Sequence, residues 1–127
     1  MKKKILIVDD DKNFTSSIVN LLGSNGYDVI TAQSGVLGYA RAKEHAPDLI
    51  LLDVMMATKG EGFEISRSLR RDPKTKSIPV IIVTGVREEM GMIFRFDPDG
   101  VWLPVKEVLE KPVKPETLLA VIKKNIA

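Results

Sequence analysis

Strand-length apolar runs alternate with helical patterns along this chain, and that alternation restricts its fold more than any other feature. "KILIV" (4–8) is continuous and β-branched, as a strand buried on both faces requires. From Lys12 to Asn25, the residues Phe14, Ile18, Leu21 and Leu22 fall at i, i+4, i+7 and i+8, one helical stripe, and Gly23 and Gly26 supply its stop. "YDVITA" (27–32) reads as a second strand. Ser34 is placed to cap a helix that runs to about His45 and ends before Pro47. "DLILLD" (48–53) is the third strand, Phe63 to Arg71 a short third helix closed by "DPKT", and "IPVIIVT" (78–84) the fourth strand. "KEVLEKP" gives a fifth, and Pro115 to Ile126 a final helix with Leu118, Leu119 and Ile122 turned inward. Strands and helices in alternation predict a parallel sheet covered on both faces, with right-handed crossovers. The expectation is one α/β domain over residues 1–127, with no effector domain.

The rhythm weakens after Thr84. "GVREEMGMIFRFDPDGVWLP" holds Gly85, Gly91, Pro98, Gly100 and Pro104, with a turn signal at Asp97-Pro98-Asp99-Gly100, so at most a short or distorted helix fits between Val86 and Phe96. Composition then removes several function classes. Without cysteine there is neither a disulfide framework nor a thiolate zinc site. No apolar run reaches membrane-spanning length. The lysines of "MKKKILIV" are followed too soon by "DDD" for a signal peptide, which places the chain in the cytoplasm. A net charge of +2, with lysines spread along the sequence apart from Lys2, Lys3 and Lys4, gives nucleic-acid binding no support beyond that small cluster, which more often serves as a solvated strand leader.

Ligands of open parallel sheets bind beyond the carboxyl ends of the strands. Strand one ends in Asp9, Asp10 and Asp11, strand three in Asp53, strand four in Thr84, and strand five in Glu110-Lys111-Pro112. One rim of the sheet thus receives carboxylates, a hydroxyl and an ammonium. Asp53 interrupts the apolar run "LILLDVMM", where a lone carboxylate is unfavourable unless its charge is answered. Clustered carboxylates repel one another until a cation joins them, and hard oxygen ligands without Cys or His suit Mg²⁺. A carboxylate can also act as a nucleophile and form an aspartyl-phosphate, with Lys111 as cation and Thr84 as hydroxyl donor around the phosphoryl oxygens. No G-x-x-x-x-G-K-[ST] loop occurs, so nucleotide binding is not expected. Plainer readings stand beside these: Asp11 as the N-cap of the first helix, with Asp9 and Asp10 able to share that role, Thr84 as an ordinary strand-end threonine, Lys111 as a surface partner of Glu110, and His45, the only histidine, as a contact to a helix C-terminus.

Four strings in order, "ILIVDDD", "PDLILLDVMM", "PVIIVTG" and "LEKPVKPETL", each at a strand end, resemble the receiver domain of two-component response regulators over essentially the whole chain. The resemblance implies a doubly wound, five-stranded parallel sheet of flavodoxin-like type, strand order 2-1-3-4-5. It makes Asp53 the phosphoacceptor. Asp10, with Asp9 acting through water, would hold Mg²⁺ together with Asp53 and the backbone carbonyl of Met55. Thr84 would bond a phosphoryl oxygen, Lys111 would pair with the phosphoryl group, and the Lys111–Pro112 bond would be cis. The implied partners are a sensor histidine kinase or histidine phosphotransfer protein and an unidentified downstream protein. The implied chemistry is phosphorylation and dephosphorylation of Asp53 itself, so no enzyme in the usual sense is expected.

The sequence departs from the family in three places. Ala57 follows "DVMM" where receivers carry proline, before "TKGEG". Val108 stands where the family has the aromatic half of its threonine–aromatic switch. The segment from Thr84 to Lys111 is long and rich in helix breakers, so the family's fourth helix is expected to be short, displaced or replaced by loop, with Phe94, Phe96 and Trp102 near the space it leaves. Met55 and Val86, two positions after the phosphoacceptor and the threonine, are apolar and predict slow hydrolysis of the phosphoryl group. Two rival readings stand beside this one. A phosphorylation-independent pseudo-receiver is favoured by Val108 and opposed by the full acidic, Thr and Lys set. A haloacid dehalogenase-type phosphatase could use Asp9-Asp10-Asp11, but the chain lacks that family's late acidic pair and cap, and Asp53 would go unexplained.

Overall fold

Apolar runs without polar alternation can be buried only in the middle layer of a sandwich, and the sheet occupies that layer here. The structure, a computed structural model, describes residues 2–53, 61–84, 107–111 and 113–126, with backbone alone at 61–63, 84, 107, 108 and 110. The elements in order are β1 (Lys4–Val8), α1 (Lys12–Ser24), β2 (Asp28–Ala32), α2 (Gly35–His45), β3 (Leu49–Leu52), α3 (Glu61–Arg71), β4 (Val80–Thr84), β5 (Glu107–Glu110) and α4 (Pro115–Ile126). The five strands form one sheet in the order β2-β1-β3-β4-β5, every pair parallel. This is the doubly wound, flavodoxin-like receiver fold with the expected strand order. The expectations for a shortened fourth helix in the family's sense, for Phe94, Phe96 and Trp102, and for the Met55, Ala57, Val86 and Pro112 positions fall outside the described residues.

Successive strand residues point to opposite faces, and two cores result. Leu6, Val8, Ile50, Leu52 and Ile82 pack with Ala42 of α2 and Leu69 of α3. Ile5, Ile7, Leu49, Leu51 and Ile81 pack on the other side with Ile18 and Leu22 of α1 and Leu118 and Ile122 of α4. Leu119, expected inward, is partly buried against that second core. The fourth strand begins two residues later than the sequence suggests, because Pro79 has no N–H to give a ladder; its carbonyl still accepts from Ile50 N at 3.0 Å.

Helix boundaries follow local chemistry. The Asp11 side chain caps α1 by accepting from the N–H groups of Asn13 and Phe14, and the Ser34 hydroxyl caps α2 by accepting from Leu37. Helix α2 stops at His45, whose carbonyl accepts from Lys4 Nζ at 3.2 Å, and Ala46 follows in the left-handed region at φ 46°. The same helix lies very close to the sheet. A Cβ at Gly38 would sit 2.6 Å from Val8 Cγ2 and 2.8 Å from its Cγ1, so only glycine permits this approach.

Candidate functional site

Register builds the site. Val8 lies opposite both Ala32 and Leu52, so the residues that follow β1 and β3 leave the sheet side by side. Backbone bonds extend the pairing one step further: Asp9 N donates to Ala32 O at 3.0 Å and Asp53 N to Val8 O at 2.9 Å. Asp9 and Asp53 are thereby held at the carboxyl edge, 3% and 5% exposed, while Asp10 between them in the chain is exposed. One carboxylate oxygen from each of Asp9, Asp10 and Asp53 lies within 4.8 Å of the others.

Lys111 reaches this cluster from the turn after β5. Its ammonium donates to Asp9 Oδ2 at 2.8 Å and stands 3.8 Å from Asp53 Oδ2. The head of this lysine thus faces the acidic cluster. The other Asp9 oxygen accepts from Asp11 N at 2.9 Å, so both of its oxygens are engaged. Burial nevertheless pushes the Asp9 carboxyl up to about 6, against the hydrogen bonds from Lys111 and Asp11, and the charge of Asp53 adds to the rise. Three carboxylates against one ammonium leave two negative charges within the cluster, which is the deficit a divalent cation fills. All-oxygen donors of this kind fit Mg²⁺.

Of the residues singled out in the sequence, the fold brings Asp9, Asp10, Asp53 and Lys111 together. Thr84 ends β4, opposite Glu110 in register, and so lies at the same edge of the sheet; its side chain and the Met55 carbonyl are outside what the structure describes. Asp9, expected as a helper, is the more buried carboxylate of the β1 pair and the direct partner of Lys111. One participant escaped the sequence analysis. The ring of Phe14, read there as one position of a core stripe, lies under the Lys111 ammonium with Nζ 4.1 Å from its centroid. Nothing in the spacing of the sequence connects positions 14 and 111.

Comparison with known proteins gives this geometry its context. A family model for the response regulator receiver domain matches residues 5–123. Protein PilH of Pseudomonas aeruginosa is 36% identical over 124 residues, which are 98% of this chain and 98% of PilH. A CheY-like response regulator receiver domain protein from Methanospirillum hungatei has a crystal structure of TM-score 0.82 and 28% identity, covering 99% of this chain and 94% of that one. The receiver domain of the sensor histidine kinase PA1611 from Pseudomonas aeruginosa, with magnesium coordinated in its active-site cleft, matches at TM-score 0.84 over 99% and 98% of the two chains. At 22% identity that last likeness is one of fold. The chain spans about half or less of several longer curated relatives. No described helix is long and apolar enough to cross a membrane. Receiver domains bind Mg²⁺ at an acidic site and interact with histidine kinases or phosphotransfer proteins. With its acidic cluster and distant lysine gathered at the carboxyl edge of a 2-1-3-4-5 sheet, and with that match over residues 5–123, the chain belongs to the response regulator receiver domains of two-component systems.

Proposed function

We propose that this protein is a phosphoacceptor response regulator that takes a phosphoryl group onto Asp53, in the cytoplasm, from a phosphohistidine of a sensor kinase or phosphotransfer protein. The observation that carries the reading is the placement of buried Asp53 beside Asp9, Asp10 and the Lys111 ammonium. An Asp53 carboxylate oxygen forms the new bond to phosphorus as the phosphorus–nitrogen bond breaks, and the departing imidazole keeps the electron pair and is protonated. Lys111 neutralises charge on the phosphoryl oxygens, and the Thr84 hydroxyl donates to one of them. Asp9, Asp10, Asp53 and the Met55 carbonyl would hold Mg²⁺, which supplies charge neutralisation when bound. Output passes through protein contact or onward phosphotransfer. The protein turns over no separate small substrate and acts only on its own aspartate.

Intact-mass spectrometry after incubation with acetyl phosphate tests the reading. A Mg²⁺-dependent gain of one phosphoryl group, absent from Asp53→Asn, is expected. The second reading, a pseudo-receiver that works without phosphate, draws support from Val108 in place of the family's switch aromatic. It predicts neither a mass gain nor Mg²⁺ binding.

A further inference from the structure

Lys111 carries its charge on a long, flexible stem, so its place in the site depends on what holds the head. Among the described residues its shortest contact is to Asp9 Oδ2 at 2.8 Å. A divalent cation held by Asp9, Asp10 and Asp53 would draw on the same carboxylate, directly or through water, and so loosen its hold on the ammonium. Asp53 Oδ2, 3.8 Å from the ammonium, would be drawn on by the same ion, whereas the Phe14 ring, its centroid 4.1 Å from the ammonium and well inside the range of cation–π attraction, would not. The ring is itself anchored at both ends. Its backbone N–H donates to the Asp11 carboxylate at 3.1 Å in the first turn of α1, and its side chain packs against the α1–α4 core.

We propose that Phe14 is a positioning residue: its ring keeps the Lys111 ammonium at the mouth of the site while the metal occupies Asp9, so that the cation stays in reach of the phosphoryl oxygens on Asp53. The proposal rests on the reading of Asp53 as phosphoacceptor. An aromatic residue in a helical stripe is more often simply core, and the two roles differ in the sign of their effects. The ring holds the ammonium in the pocket before metal binds, where the two cations compete for Asp9. Removing the ring face therefore leaves Mg²⁺ affinity unchanged or tighter and makes phosphorylation slower. A packing defect weakens both.

The test compares wild type, Phe14→Leu, which keeps an apolar group but loses the ring, and Phe14→Tyr, which restores it. In metal-free protein, NMR should place the Lys111 ε-methylene protons upfield under the ring current in wild type and the Tyr variant, and not in the Leu variant. By calorimetry, the Mg²⁺ dissociation constant of the Leu variant should equal that of wild type or fall below it. With acetyl phosphate at saturating Mg²⁺, the Leu variant should be phosphorylated about 3- to 10-fold more slowly and the Tyr variant within about two-fold of wild type. Absence of the ring-current shift in wild type, or weaker Mg²⁺ binding together with slower phosphorylation in both variants, overturns the proposal. A Leu variant phosphorylated at the wild-type rate overturns the role of the ring alone. A wild-type protein that gains no phosphoryl group overturns the reading of Asp53 as well.

Discussion

Replacing Asp9 by Asn should make the metal-free protein more stable while removing its response to Mg²⁺. The Asp9 side chain is 2% exposed, and its carboxyl titrates near 6 against 3.8 for the ordinary group, chiefly because burial disfavours the charged form. Between roughly pH 4 and 6 the folded chain binds more protons at this site than the unfolded chain, so stability falls as pH rises through that window. By neutral pH the penalty approaches about 3 kcal/mol as an upper figure, at ~1.36 kcal/mol for each pKa unit. Asn abolishes that charge, and its side-chain oxygen can still accept from Asp11 N. Urea unfolding in EDTA at pH 7.5 should therefore show a gain of about 1–3 kcal/mol, a midpoint shift of roughly 1 M. The gain should shrink as pH falls towards 4, where wild-type Asp9 is protonated as well. Mg²⁺ should then close the gap from the other side. At a hundred times its dissociation constant it should stabilise wild type by about 2.7 kcal/mol, and the Asn variant, short of one carboxylate in the proposed metal site, should gain much less. Equal or lower stability of the variant in EDTA would refute the argument that this carboxylate is held against its own burial.

Other substitutions probe the scaffold. Gly38→Ala drives a methyl into both Val8 methyls and should lower stability by about 1–2 kcal/mol despite the better helix propensity of alanine, with a double-mutant cycle to Val8→Ala giving a coupling of at least about 0.5 kcal/mol. Asp11→Ala strips the cap from Asn13 and Phe14 and should cost about 1 kcal/mol by thermal melting. Ala46→Gly should raise stability by about 0.5 kcal/mol, since relief of the left-handed strain exceeds the added entropy of the unfolded chain. Ile50→Ala in the fully buried centre of β3 should cost about 2–5 kcal/mol in urea unfolding.

The fold was legible because its central strands are so uniformly apolar. A run such as Leu49–Leu52, buried at every position, has no place except inside a covered parallel sheet. The caps at Asp11 and Ser34 were equally readable, since each rests on one side chain and the N–H groups two or three residues on. The carboxylate cluster followed from strand ends alone. What the sequence concealed depends on distance through space. The Phe14 ring beneath Lys111 and the glycine approach of α2 to Val8 join residues from separate elements, and no periodicity marks them. Likewise "DPKT" announced the end of α3, but not that the buried Thr75 hydroxyl would close it by donating to Leu69 O at 2.6 Å. The order of burial within the acidic run was also hidden. Asp9, not Asp10, turns inward, because the backbone bond to Ala32 continues the β1 ladder by one residue.

The ion pair between Asp9 and Lys111 spans 102 positions of the chain. Synthesis runs from the amino terminus at about 5–20 residues per second, so the acidic half of the site emerges several seconds before its ammonium. During that interval the carboxylates on β1 and β3 have no Lys111 beside them, and β5 has not yet closed the row of strands. The site is thus completed only with the last strand of the sheet.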